Sequence, residues 1–155
     1  MLEAKGDIIV TGDADATYPF EKIHLYVNQL IDEQLDFITT DRFSGLSHGS
    51  MSIKHYFGNF ILNWVLRILY FINIKDSQSG MWIFKKEALG AIQPVEDFND
   101  GMPFSEEIKI EMLSNKKIKS KEIPSKLYVR EGQVKLQSFT DGIKNLKFLF
   151  IKRVR

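Results

Sequence analysis

The chain has 155 residues, 44% of them hydrophobic and 26% charged, with a formal net charge of +1. That is one domain's worth of chain with enough apolar residues for a core, which excludes disorder, collagen and a coiled coil. It has no cysteine, so disulfide frameworks and thiolate metal sites are excluded, and His24, His48 and His55 show no zinc spacing.

In chain order, Asp7-Ile8-Ile9-Val10-Thr11-Gly12 reads as a short buried strand, β-branched and then broken by glycine. Pro19 suits a first helical turn, and Ile23, Val27, Leu30 and Ile31 share one helical face. Phe37-Ile38-Thr39-Thr40 reads as a second strand, so strand, helix and strand form a βαβ unit and imply a parallel sheet. Arg42 to Ser52 is a polar, glycine- and serine-rich loop, either a substrate lid or a plain surface connection. Phe57 to Ile72 predicts the most apolar helix, with Phe57, Ile61, Trp64, Val65, Ile68 and Ile72 on one face and His55, Asn59, Asn63 and Arg67 as a thin polar stripe. The pattern admits central core, the reading it favours, or a helix lying on a membrane surface.

Asp76 to Gly80 is a turn cluster, Met81 to Phe84 a buried strand, and Lys86 to Ile92 a short helix. Ser105 caps a predicted helix running to Asn115 with Ile108, Met112 and Leu113 inward. Pro124 marks Lys121 to Val129 as an edge strand. After Asp141-Gly142 a basic amphipathic helix, carrying Ile143, Leu146 and Phe150, closes the chain over residues 142–155. No signal peptide and no membrane span are expected.

Charge is distributed unevenly. Residues 1–41 hold nine acids and two bases, a net −7, so the remainder is +8. One reading joins an acidic half that holds a cation to a basic half that holds phosphate; the other is chance clustering of solvated charge. The sharpest local feature is Asp13-Ala14-Asp15, two carboxylates where a strand ends and a helix is about to begin. Ligands of open α/β sheets bind at such ends. Adjacent carboxylates repel unless a cation joins them, and hard oxygen ligands suit Mg²⁺ or Mn²⁺. An EF-hand is excluded by the lack of its further ligands.

Around this pair, the segment from Gly6 to Ile23 resembles the strand-and-metal segment of the polyprenol-phosphate sugar transferases, the dolichol-phosphate mannose synthase-like branch of the family-2 glycosyltransferases. Asp41-Arg42-Phe43, the helix leading into Asp76-x-x-Ser79-Gly80, the segment from Gly101 to Leu113, and the closing stretch with Arg130, Gly132-x-x-Lys135 and Asp141-Gly142 resemble further segments in the same order. The resemblance implies an incomplete GT-A (Rossmann-like) α/β domain, its mixed, mostly parallel sheet flanked by helices. Residues 1–155 would form the C-terminal two-thirds of one domain, with the base and ribose pocket outside it.

The same resemblance implies metal ligation by Asp13 and Asp15, catalytic places for Asp15 and Glu107 with Glu107 facing the donor sugar, and phosphate contacts for Arg42, Arg130 and Lys135. It gives Asp76, Ser79 and Gly80 the floor of the acceptor and sugar pocket. Glu106, in contrast, reads as a helix-start acid favoured by the dipole. The implied reaction is metal-dependent, inverting transfer of a hexose from a nucleotide-diphosphate sugar to a polyprenyl phosphate, peripheral to the cytoplasmic face of a membrane. No nucleic-acid partner is implied. Two alternatives stay open: a non-catalytic fragment or subunit that needs a second chain or self-association to complete the nucleotide site, and a transferase with a soluble glycan acceptor.

Overall fold

The computed structural model describes residues 1, 3–47, 49–131 and 138–154. Strands β1 (Ile8–Val10), β2 (Phe37–Asp41), β3 (Trp82–Lys85) and β4 (Ser120–Pro124) alternate with helices α1 (Ile23–Asp32), α2 (Ile53–Tyr70), α3 (Met102–Ser114) and α4 (Ser138–Val154). The strands form one sheet in the order β1-β3-β2-β4. β3 is antiparallel to both neighbours, while β2 and β4 pair in parallel. Three strands therefore run one way and β3 runs against them. The βαβ unit is present, but its two strands are not neighbours: the crossover through α1 skips one position, and β3 fills it.

Side-chain alternation along the strands divides the core. On one face Ile9, Phe37, Trp82 and Phe84 pack against Leu89, Phe98, Ile108 and Met112. On the other, Ile38, Ile83 and Ile123 meet Tyr18, Tyr26, Leu30 and Leu35. α1 packs through Ile23, Val27 and Leu30 of the expected face, with Tyr26 buried beside them and Ile31 exposed. The Tyr26 hydroxyl reaches the Ser125 hydroxyl at 3.3 Å, a partner beyond β4 that periodicity within the helix does not reveal.

Helices α2 and α4 turn much of their expected faces outward. On α2, Phe57, Ile61, Trp64 and Ile68 are exposed, whereas Leu62, Asn63 and Leu66 are buried. The polar stripe explains the rotation. Asn63 Nδ2 donates to the Lys75 carbonyl at 2.5 Å, its Oδ1 accepts from the Ser77 amide at 2.7 Å, and Arg67 Nε donates to the Ile74 carbonyl at 2.5 Å. These side chains satisfy main-chain groups of the segment leading into the 76–80 turn, which would otherwise be buried unpaired. The expectation that this face packs into the core is thus overturned for Phe57, Ile61, Trp64 and Ile68, while Ile72 is buried in the core and Val65 packs against it. On α4, Phe148 and Leu149 pack with Leu66, Ile74 and Ile110, while Ile143 and Phe150 are exposed.

α3 begins at Met102, three residues before the expected cap at Ser105, after Gly101 with a left-handed φ of 78°. This places Glu106 and Glu107 beyond the first turn. The loop after β2 is tied down among its described residues: Leu46 bridges Leu127, and the Leu127 amide donates to the Gly45 carbonyl at 3.0 Å. A Cβ at Gly45 would lie 2.3 Å from the Ser125 carbonyl oxygen. Gly45→Ala is therefore expected to destabilise the chain by about 1–3 kcal/mol, the usual range for overpacking, measured as a lowered urea midpoint; an unchanged midpoint refutes this close approach.

Candidate active site

The sheet topology collects the candidate residues at one end. Asp13 and Asp15 follow the carboxyl end of β1, Arg42 follows β2, and Arg130 lies beyond β4. Because β3 runs the other way, the 76–80 turn that precedes it arrives at the same end. Four elements thus deliver two carboxylates, two guanidiniums and a polar turn to one place.

The two carboxylates sit in different environments. Burial, and then the negative charge of Asp15, push the Asp13 carboxyl above its usual range. Among the described residues, no hydrogen bond or ion pair engages the Asp13 carboxylate. It lies instead against Gly80, where an added Cβ would come within 2.9 Å of Asp13 Oδ2. Asp15 is held on both sides. Its Oδ1 accepts from the Thr17 amide at 3.2 Å and hydroxyl at 2.5 Å, and its Oδ2 pairs with Arg130 Nη2 at 2.8 Å. The backbone carries the Arg130 segment to this loop: the Glu131 amide donates to the Asp15 carbonyl and the Tyr128 amide to that of Thr17. Ala16, between the two anchors, adopts a left-handed φ of 62°, a sparsely populated conformation for a residue with a Cβ.

Arg42 and Asp76 form a buried bidentate pair, Nε to Oδ2 at 2.6 Å and Nη2 to Oδ1 at 2.8 Å. Asp76 also accepts from the amides of Arg42 and Gln78. Burial alone would raise the Asp76 carboxyl, but the Arg42 guanidinium overrides it and holds the group below the usual carboxylate range. The same attraction keeps Arg42 charged despite its burial. Ser79 shares a 2.6 Å hydrogen bond with Thr40, and the Gly80 amide donates to the Tyr18 phenol oxygen at 2.6 Å. From the neighbouring edge strand, Glu122 receives the amides of Lys75 and Asp76.

Not every expected site residue takes the place assigned to it. Two donors of Arg42 are committed to Asp76, so the residue is first of all part of the scaffold of the turn. Glu107 has both oxygens engaged elsewhere, Oε2 by the amide and side chain of Asn99 and Oε1 by Lys152 at 3.1 Å. It is Glu106, read as a helix-start acid, that reaches the 76–80 turn, accepting a hydrogen bond from Gln78 Nε2. Consecutive residues of a helix point about 100° apart, so only one of the two faces the turn. Lys135 lies outside the described residues. Tyr18 and Lys109 were missed. Lys109 is fully buried and donates to the carbonyls of Ser77 and Ser79; it follows Glu106 by three positions on one helical face, and that spacing was the available signal.

No protein-family model matches the chain. It is 32% identical over 149 residues to the low-salt glycan biosynthesis hexosyltransferase Agl6 of Haloferax volcanii, an alignment spanning 95% of this chain and 35% of that protein. The chain is homologous to a glycosyltransferase. It spans about one third of the length of this curated relative. Among solved structures it superposes on glucosyl-3-phosphoglycerate synthase from Mycobacterium tuberculosis in complex with phosphoglyceric acid, with a TM-score of 0.63 and 16% identity over 97% of this chain and 50% of that one. The complex of the same synthase with Mn²⁺, uridine-diphosphate-glucose and phosphoglyceric acid gives a TM-score of 0.64 at 14% identity, over 97% and 51%. The chain therefore carries a partial GT-A fold, a mixed four-stranded sheet flanked by helices.

Proposed function

We propose that this chain supplies the metal and acceptor side of a hexosyltransferase that takes its sugar from a nucleotide diphosphate and passes it to a polyprenyl phosphate. The observation that carries the reading is the convergence of Asp13, Asp15 and Arg130 beside the Arg42–Asp76 turn at one end of the sheet. The relative's name, a hexosyltransferase, supports the reaction class, and the synthase complex with Mn²⁺ and uridine-diphosphate-glucose supports the donor and metal classes.

The residues present fit a divalent cation. Among the described residues there is no group of three or more His, Cys, Asp or Glu that could hold one, so an all-protein cage is not available. A magnesium-type ion, however, is commonly held by one or two carboxylates, with phosphate and water oxygens completing the shell. Asp13 offers an unengaged carboxylate raised by burial and by Asp15; a cation would relieve that repulsion. Asp13 and Asp15 would hold the ion, which when bound supplies charge neutralisation at the departing diphosphate. Arg130, within 2.8 Å of Asp15, adds a second positive group for phosphate oxygens. An acceptor phosphate is already anionic near neutral pH and needs no strong base. The work left to the protein is positioning, and attack opposite the leaving group inverts the anomeric carbon.

The outward faces support a lipid acceptor. α2 exposes Phe57, Trp64 and Ile68, and α4 exposes Phe150 and Val154 beside Lys144, Lys147 and Arg153. Aromatic and aliphatic groups next to lysines suit an anionic membrane surface. No helix among the described residues is long and apolar enough to cross a membrane. A cleft of about 150 Å³ is lined by Phe43, Tyr56, Phe60, Asn63 and Lys75, joining α2 to the neighbours in sequence of Arg42 and Asp76. A soluble anionic acceptor is the second reading, favoured by the phosphoglyceric acid in the synthase complexes.

Titration calorimetry of Mn²⁺ with uridine-diphosphate-glucose tests the metal site. Wild type is expected to bind, with Asp13→Asn and Asp15→Asn weaker by more than about tenfold; metal-independent or absent binding removes the metal reading. Flotation with anionic vesicles tests the acceptor class, since a chain that stays in the dense fraction has no lipid-facing surface.

A further inference from the structure

We propose that Lys109 is a positioning residue for the carboxylate site: from beneath the 76–80 turn its ammonium holds Gly80 against Asp13. The inference builds on the reading of Asp13 as a metal ligand. Lys109 is fully buried, and among the described residues no carboxylate oxygen lies within ion-pair distance of its Nζ. Its donors go to two carbonyls of one turn, Ser77 at 2.6 Å and Ser79. The indole Nε1 of Trp82 donates to the same Ser79 carbonyl at 2.8 Å, and the ammonium sits 5.5 Å from the centroid of that ring. Donors from α3 and β3 thus pin the turn from below.

The upper side of the turn is equally constrained. The Gly80 amide donates to Tyr18 Oη at 2.6 Å, and its carbonyl accepts from Thr11 Oγ1 at 3.1 Å. Gly80 leaves no room for a Cβ beside the Asp13 carboxylate. Displacing the Ser79 carbonyl by a few tenths of an ångström therefore displaces the surface against which Asp13 rests, and ligand groups tolerate only about 0.5 Å of misplacement.

The chemistry argues against a filler role. A methionine would occupy the same space without the cost of desolvating an ammonium, and well-packed apolar replacements of buried charges are often neutral or stabilising. A position that needed only volume would gain nothing from lysine. What lysine adds here is reach and three donors, and two of its partners are carbonyls of the turn that touches Asp13.

The test compares wild type with Lys109→Met and Lys109→Arg, reading Gly80 amide exchange by NMR and Mn²⁺ affinity from the free-ion EPR signal. With the Ile38 and Ile83 amides as internal standards for global stability, Lys109→Met is expected to speed Gly80 exchange selectively and to weaken Mn²⁺ binding about tenfold, the lower end of outer-shell effects. Lys109→Arg, which keeps the charge and the donors, is expected to restore both. A folded Lys109→Met chain with wild-type Mn²⁺ affinity overturns the proposal, whatever its exchange rates. Wild type that binds no Mn²⁺ sinks the metal reading instead, and the Asp13 carboxyl ¹³C shift of the metal-free chain then decides: a shift moved by Lys109→Met supports the positioning role, and an unmoved one overturns it. Should Lys109→Met not fold, Lys109→Gln, which keeps two N–H donors on a shorter, uncharged side chain, is judged by the same criteria.

Discussion

Arg42→Met is expected to destabilise the chain by about 3–5 kcal/mol, because it leaves the Asp76 carboxylate buried without its counter-ion. Asp76 is fully buried and loses the bidentate contacts at 2.6 and 2.8 Å. Domains of this size have about 5–15 kcal/mol in total, so the variant sits near the edge of folding. The sign with pH follows from the lowered Asp76 carboxyl. Unfolded, the group titrates near the ordinary value; folded, it titrates lower. The stabilisation is present above the ordinary carboxylate range and is lost as pH falls through the folded value. Urea unfolding at neutral pH measures the loss. The double variant Arg42→Met, Asp76→Asn should recover a substantial part of it, because most of the cost is the orphaned charge rather than the missing attraction. A single variant as stable as wild type would mean that the pair is not buried as described.

Glu106→Gln is expected to raise stability by about 1–3 kcal/mol near pH 8 and to change little near pH 5. Burial pushes the Glu106 carboxyl up to about 7, with Lys109 and Gln78 opposing the shift. A carboxyl raised in the folded state favours folding fully below its unfolded value of 4.5 and loses that contribution as pH rises through about 7. Burial moves Lys109 the other way, down to about 7 from 10.5 against the attraction of Asp76, so stability recovers as pH climbs from 7 toward 10.5. The pair titrates as a unit, and its combined effect is a stability minimum near neutrality. Glutamine removes the acidic limb of that minimum. Thermal melts of both proteins between about pH 5 and pH 8 check this, and a gain of equal size at both ends would refute burial of the charge as its cause.

Much of the placement of the candidate residues was readable in one dimension. Asp13-x-Asp15 after a β-branched run, Arg42 after a second run and Asp76 in a turn before a third are local signals, and the three-dimensional site is the sum of these strand ends. Arg130 reached the same end because β4 runs parallel to β2, as an edge strand bearing Pro124 allowed. What could not be read was pairing at long range. Nothing local places β3 between β1 and β2 or reverses it. On α2 both faces repeat with helical period, and the choice between them was made by the carbonyls of Ile74 and Lys75, which claim Arg67 and Asn63. Periodicity reports that two faces exist; it does not report where the unmet main-chain donors and acceptors lie. Glu106 and Glu107 failed for a similar reason, since adjacent acids look equivalent until the start of their helix is known.

The inward-turned polar stripe of α2 also separates two properties that most amphipathic helices keep joined. Internal cohesion here depends on Leu62, Asn63, Leu66 and Arg67, while the residues meeting the exterior, Phe57, Trp64 and Ile68, contribute little to it. Exterior greasiness can therefore be dialled from adhesive to fully hydrophilic without disturbing the scaffold beneath. Such variants isolate the contribution of the outer surface from that of the carboxylate end, and their solubility measures that surface alone.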